Sequence, residues 1–280
     1  MTAPQILADG FAFLEGPRWR DGLLWVSDMH SQEVLTIDAE GRREVRFRVP
    51  NDPSGLGWLP DGRLLVVSMR DQKVLREEGD RLVEHADLSA LATFHCNDMV
   101  VDAEGRAYVG NFGFDFGSGD PPAPTVLALV RPDGTALQAA DDLRFPNGSV
   151  ITPDGRTLVV CETYGGQLTA YDIADDGSLS NARVWAALEG MTPDGCCLDA
   201  DGAIWVASPF HKVFLRVREG GEITDRIESE QLAIACMLGG ADGRTLHLLT
   251  SPAVDGEESK KLRGARVETV RVEVPGAGLP

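Results

Sequence analysis

Six times along the chain an acidic-Gly turn is followed at once by an apolar, β-branched or aromatic run: DGLLWVS (21–27), DGRLLVVS (61–68), EGRAYVGN (104–111), DGRTLVVCE (154–162), DGAIWVAS (201–208) and DGRTLHLLT (242–250). The turn glycines Gly22, Gly62, Gly105, Gly155, Gly202 and Gly243 are 40, 43, 50, 47 and 41 residues apart. Asp-Gly between apolar runs marks a β-hairpin, because the turn needs a positive φ that glycine adopts without steric cost. The segments between hairpins alternate polar and apolar residues as strands do, for example 72–88 and 166–185. Roughly four strands in every ~45 residues, repeated six times, is the signature of a six-bladed β-propeller. The sequence therefore predicts an all-β chain whose residues 1–280 form a single propeller domain. The strand-like segments at 265–274 and 5–13 predict that one blade is closed by both termini. A β-sandwich or barrel would explain the strands but not the near-constant period.

Composition narrows the function classes. Asp and Glu number 44 against 26 Lys and Arg, a formal charge of −18, which disfavours nucleic acid as a partner because phosphate binding needs a basic face. No stretch approaches the ~20 apolar residues of a membrane helix, and residues 1–17 lack the basic and apolar regions of a signal peptide. The five cysteines, an odd number without a zinc-spaced pair, fit a reducing compartment. The expectation is a soluble, cytoplasmic protein with a small-molecule substrate and neither nucleic-acid nor membrane partners.

Register within the repeat singles out candidate site residues. Eight residues before the turn glycine stand Ser54, Asn97, Asn147, Asp194 and Ala235; in the first blade, whose turn is one residue shorter, Glu15 lies seven before. Equivalent positions in successive blades face one point near the propeller axis. Glu15, Asn97, Asn147 and Asp194 would converge there as two carboxylates and two amides, a hard oxygen set suited to an axial divalent metal. Calcium is the expected ion, with manganese, zinc or iron as alternatives, and the two carboxylates would balance its charge. Ser54 and Ala235 are small and would leave room for water or substrate.

The motifs EGPRW (15–19), ND (97–98), PNGSVITPDG (146–155) and PDGCCLDADG (193–202) resemble the regucalcin and gluconolactonase family, also called senescence marker proteins. That resemblance implies a six-bladed propeller with an axial metal held by Glu15, Asn147 and Asp194. It also implies Asn97 as a further site asparagine and Asp194 as the catalytic carboxylate. Two positions depart from the family pattern: His95 stands where an arginine contacting substrate hydroxyls is usual, and Met99 follows Asp98 where glycine is common.

A divalent ion on three or four protein oxygens can polarise a carbonyl, which suggests hydrolysis of a lactone with Asp194 as general base or, in a variant, as nucleophile. Residues following the second hairpin strands return to the same end of the propeller, and the Gly- and Pro-containing segment 111–124 has the composition of a rim loop. His95, Asn97, Phe112, Phe114 and Phe210 are the expected substrate contacts. Their aromatic content points to a moderately hydrophobic lactone rather than strictly a sugar lactone. Alternatives are phosphotriester hydrolysis or another reaction on an activated carbonyl compound at the same metal, or a non-enzymatic calcium-binding propeller.

Overall fold

In a computed structural model that describes residues 3–278, the chain forms six four-stranded antiparallel sheets. Their innermost strands are Leu14–Arg20, Pro53–Trp58, Cys96–Val101, Pro146–Ile151, Cys196–Leu198 and Leu232–Gly239. Each touches the next in order and the sixth touches the first, so the sheets close into a six-bladed propeller. The last blade takes its outermost strand, Gln5–Phe11, from the other end of the chain, where it pairs with Ala265–Arg271. Both termini therefore close one blade, as the sequence predicts.

The gradient from hub to rim follows sequence. Pro53–Trp58 and Pro146–Ile151 are buried at every residue, whereas the outer strand Arg43–Arg48 (REVRFR) is exposed along most of its length. Inner strands lie between two neighbouring sheets and must be apolar on both faces, while outer strands meet water. The six turn glycines all have positive φ, between 70° at Gly155 and 89° at Gly62. The first turn is a two-residue loop with both Asp21 (φ 52°) and Gly22 (φ 78°) left-handed. The other five are longer turns closed three residues back, as by Gly105 N donating to Asp102 O at 3.0 Å. No helix among the described residues is long and apolar enough to cross a membrane.

A repeated irregularity positions the site. Pairing of the inner strand with its neighbour slips between Glu15 and Arg18, Pro53 and Leu56, Cys96 and Met99, Pro146 and Ser149, and Ala233 and Ala235. In the fifth blade Asp194 N donates to Ala207 O (2.9 Å) and Ala207 N to Gly195 O (3.1 Å), so two residues again face one. These are β-bulges, which bend the strand and re-aim a side chain. The second bulge residue is glycine in four blades because the hub has no room for more. A Cβ on Gly16 would lie 2.6 Å from Ser54 O, on Gly55 2.3 Å from Met99 N, on Gly148 2.5 Å from Asp194 O, and on Gly195 2.2 Å from Ala235 Cβ.

Counting from the turn misplaces the sixth position. In the closing blade the bulged pair is Ile234–Ala235, with one more residue between bulge and turn than in the second to fifth blades. Ala235 therefore occupies the crowded second place against Gly195, and Ile234 holds the first.

Candidate functional site

The bulges bring Glu15, Asn97, Asn147 and Asp194 to the floor of one cavity of about 180 Å³ at an end of the propeller axis. All four are nearly inaccessible to solvent, with exposures of 5, 3, 4 and 8%. Ile234 joins them as an apolar edge, while Ser54 is fully buried and does not reach the cavity.

Hydrogen bonds set which atoms face inward. Thr163 Oγ1 donates to Pro193 O (2.8 Å) and so accepts from Asn147 Nδ2 (3.1 Å). The Asn147 amide is thereby turned with Oδ1 toward the cavity, where that oxygen has no partner. Asp194 Oδ1 and Asn97 Nδ2 are likewise buried and unpartnered. Rotating the Asn97 amide by half a turn about χ2 puts Oδ1 in place of Nδ2, an exchange governed only by the available partners. Buried polar atoms in native proteins are ordinarily satisfied, so three such atoms at one point mark a place built for a ligand.

Electrostatics support that reading. Burial, then the charges of Asp194 and Asp98, push the Glu15 carboxyl well above its ordinary range. Burial and Asp98 do the same to Asp194, offset in part by the neighbouring Asn147 amide and the Gly195 N–H. The third carboxylate is withheld from the cavity. Asp98 occupies the second bulge place of its blade and turns to Arg18 Nη2, 3.0 Å away, in an ion pair with both side chains 3% exposed. Arg18 also donates to Pro17 O (2.8 Å) and to Met99 O, tying the strand of Glu15 to the strand of Asn97 across the hub. Among the described residues no group of three or more His, Cys, Asp or Glu side chains gathers around one point. The donor set is instead two carboxylates completed by amide oxygens, which fits a hard divalent cation better than a soft one.

Above the floor the wall is largely aromatic. His95 stacks on Phe94 (4.1 Å) and meets Phe112 edge-on (6.0 Å); Phe112 stacks on Phe145 at 4.4 Å. Burial, with Arg70 nearby, lowers the His95 pKa, so its ring is neutral at pH 7. Phe112 and Phe210 line the cavity, Phe210 half-exposed at its mouth. Phe114, expected as a substrate contact, does not line it: its ring stands behind, edge-on to Phe145 (5.9 Å) and Tyr164 (5.4 Å). From the same loop Phe116 reaches the mouth instead.

Sequence reasoning passed over Phe13, Asp52 and Phe145, which also line the cavity. Each lies two residues before its blade's ring position, as His95 does before Asn97, so the same register contained the signal. Thr192 and Leu232 hold the equivalent places in the last two blades and do not line it.

Known proteins resemble this chain in sequence and fold. A family model described as the SMP-30/Gluconolactonase/LRE-like region matches residues 13–252. A Staphylococcus aureus protein named lactonase drp35 is 29% identical over 211 residues, 69% of this chain and 63% of the relative, so the match spans less than two thirds of that protein. A Pseudomonas putida 6-deoxy-6-sulfogluconolactonase is 26% identical over 95% of this chain and 93% of its own length. The crystal structure of regucalcin from Agrobacterium tumefaciens, a calcium-binding protein, superposes with a TM-score of 0.82 at 22% identity, covering 99% of this chain and 96% of the other. At that identity the superposition speaks to the fold, and the family match, which takes in most of the chain, carries the classification. The chain belongs to the SMP-30/gluconolactonase/LRE-like family.

Proposed function

We propose that this chain is a divalent-metal-dependent hydrolase of lactones and that its substrate is more apolar than a sugar lactone. The observation that carries the proposal is the buried floor of Glu15, Asn97, Asn147 and Asp194, with unpartnered polar atoms aimed into a single cavity. Relatives named as lactonases support the substrate class. Glu15, Asn147 and Asp194 would hold the cation, calcium first among the candidates, with Asn97 as a further oxygen donor. When bound, such a cation supplies positive charge opposite the oxygen of the scissile carbonyl.

The remaining steps belong to the chain's own residues. Phe13, Phe112 and Phe145 exclude water from the ring of the substrate and hold it over the floor. Asp194 accepts the proton of the attacking water. The acyl C–O bond then breaks and the ring oxygen leaves as the hydroxyl of the product acid, taking a proton. Neutral His95, at the wall above Asn97, offers a hydrogen bond to a polar substituent.

The test is a pH-stat assay over matched aliphatic, aromatic and sugar lactones with calcium or manganese present. The proposal expects turnover of apolar lactones, lost by about 10²-fold or more in Asp194→Asn as befits a general base. Full activity in that variant, or turnover confined to sugar lactones, contradicts it.

A further inference from the structure

One wall of the cavity departs from the apolar pattern. Arg70 lines it with a side chain 54% exposed, anchored through Nε to Asp52 Oδ2 at 2.7 Å. Asp52 itself is nearly buried, 6% exposed, and sits in a left-handed turn (φ 62°) two residues before the ring position of its blade. Its second neighbour in the wall is His30, whose Nδ1 is 3.8 Å away. The anchor occupies only one edge of the guanidinium: among the described residues neither Nη atom has a hydrogen-bond partner. Arg70 thus has two N–H-bearing nitrogens without a protein partner at the wall of a cavity lined largely by aromatic and other apolar side chains.

The free edge of the guanidinium is the feature that suits an anion there. A guanidinium held by one carboxylate on its Nε edge can take a second planar acceptor on its Nη edge with two parallel hydrogen bonds. Another carboxylate near this wall, Asp115, accepts from Ser118 N at 3.0 Å. Phe116, Phe210 and Val254 leave apolar surface exposed around the mouth, so the charge has a low-dielectric border that strengthens it.

We propose that Arg70 is the anion anchor of this cavity and that its ligand is an apolar molecule carrying one carboxylate-type group. The inference rests on the cavity being the substrate site, and it narrows the substrate class to lactones with a pendant acid.

The test reads binding rather than turnover. Isothermal titration would compare 4-phenylbutanoate with the neutral 4-phenylbutanamide, on calcium-loaded and on EDTA-treated protein, for wild type, Arg70→Gln and Arg70→Lys. Arg70 is half-exposed, so the variants should fold, and their thermal unfolding would be checked alongside. The acid is expected to bind roughly ten- to a hundredfold tighter than the amide in both metal states, the range of a charge-assisted hydrogen-bond pair. Arg70→Gln should bring the two probes within about twofold, with Arg70→Lys between. A preference for the acid that survives Arg70→Gln overturns the proposal. So does one that disappears with EDTA, because the carboxylate then sits on the cation, and so does the absence of any preference in wild type. An inactive lactone panel would remove the hydrolase reading and leave this binding result standing.

Discussion

Arg18→Met should be among the most destabilising single changes at the hub. It strips the guanidinium from Asp98 while leaving that carboxylate sealed among inner strands, both side chains being 3% exposed in the native pair. Removing one partner of a buried ion pair costs about 3–5 kcal/mol, because the other charge stays buried without compensation. The bonds from Arg18 to Pro17 O and Met99 O are lost as well. At about 2–4 °C per kcal/mol for a domain of this order, the unfolding midpoint should fall by roughly 6–20 °C. Circular dichroism melts at pH 7 with EDTA would measure it, and Asp98→Asn added to Arg18→Met should restore much of the loss by removing the stranded charge. Calcium should also raise the midpoint of Arg18→Met more than that of wild type, since the freed carboxylate adds to the negative charge at the floor. A midpoint unchanged in Arg18→Met, or a double variant no better than the single, would refute the claim that this pair holds Asp98 out of the ring.

Other consequences can be checked in the same instruments. Gly195→Ala puts a Cβ 2.2 Å from Ala235 Cβ, and the overpacking should cost about 1–3 kcal/mol or more. Gly155→Ala, with φ +70° and open space around it, should cost about 1–2 kcal/mol from backbone strain alone; equal melts for a Gly195→Ala that costs nothing would deny the crowding. Glu15 and Asp194 have folded-state pKa values above their unfolded ones, so the stability they confer on metal-free protein is present at low pH. It should be lost as pH rises from the ordinary carboxylate range through the elevated values, and saturating calcium should cancel that decline; urea melts from pH 4 to 8 would show whether it does. Thr163→Val releases the Asn147 amide, and calcium affinity by titration calorimetry should fall by roughly 10–100-fold, as for other groups that orient a ligand; an unchanged affinity would take Thr163 out of that role.

Much of the architecture was legible because it is periodic. The six turn glycines, all with positive φ, fixed the number of blades, and alternating segments at both ends announced the shared closing sheet. Glu15, Asn97, Asn147 and Asp194 were legible for the same reason, as corresponding offsets from the hairpin turns once the shorter first turn is allowed for. The register breaks where the length between bulge and turn changes, so the sequence points to Ala235 and the fold places Ile234 there. Phe114 illustrates another limit: along 111–124 no strand register dictates direction, so Phe112 faces the cavity while Phe114 packs behind Phe145. Phe13, Asp52 and Phe145 were recoverable by extending to every blade the offset that singled out His95. The partnership of Arg18 with Asp98 was not, since it joins residues 80 apart that meet only when the wheel closes.

One divalent cation held jointly by Glu15, Asn97, Asn147 and Asp194 would show directly in a binding measurement. Calcium titration of EDTA-treated protein near pH 6, in two buffers of different ionisation enthalpy, measures stoichiometry and proton release at once. One ion should bind per chain with release of protons from the elevated carboxyls, and both signals should be lost in the Glu15→Gln, Asp194→Asn double variant. Binding of equal stoichiometry and affinity in that double variant would place the ion elsewhere and remove these four residues as its ligands.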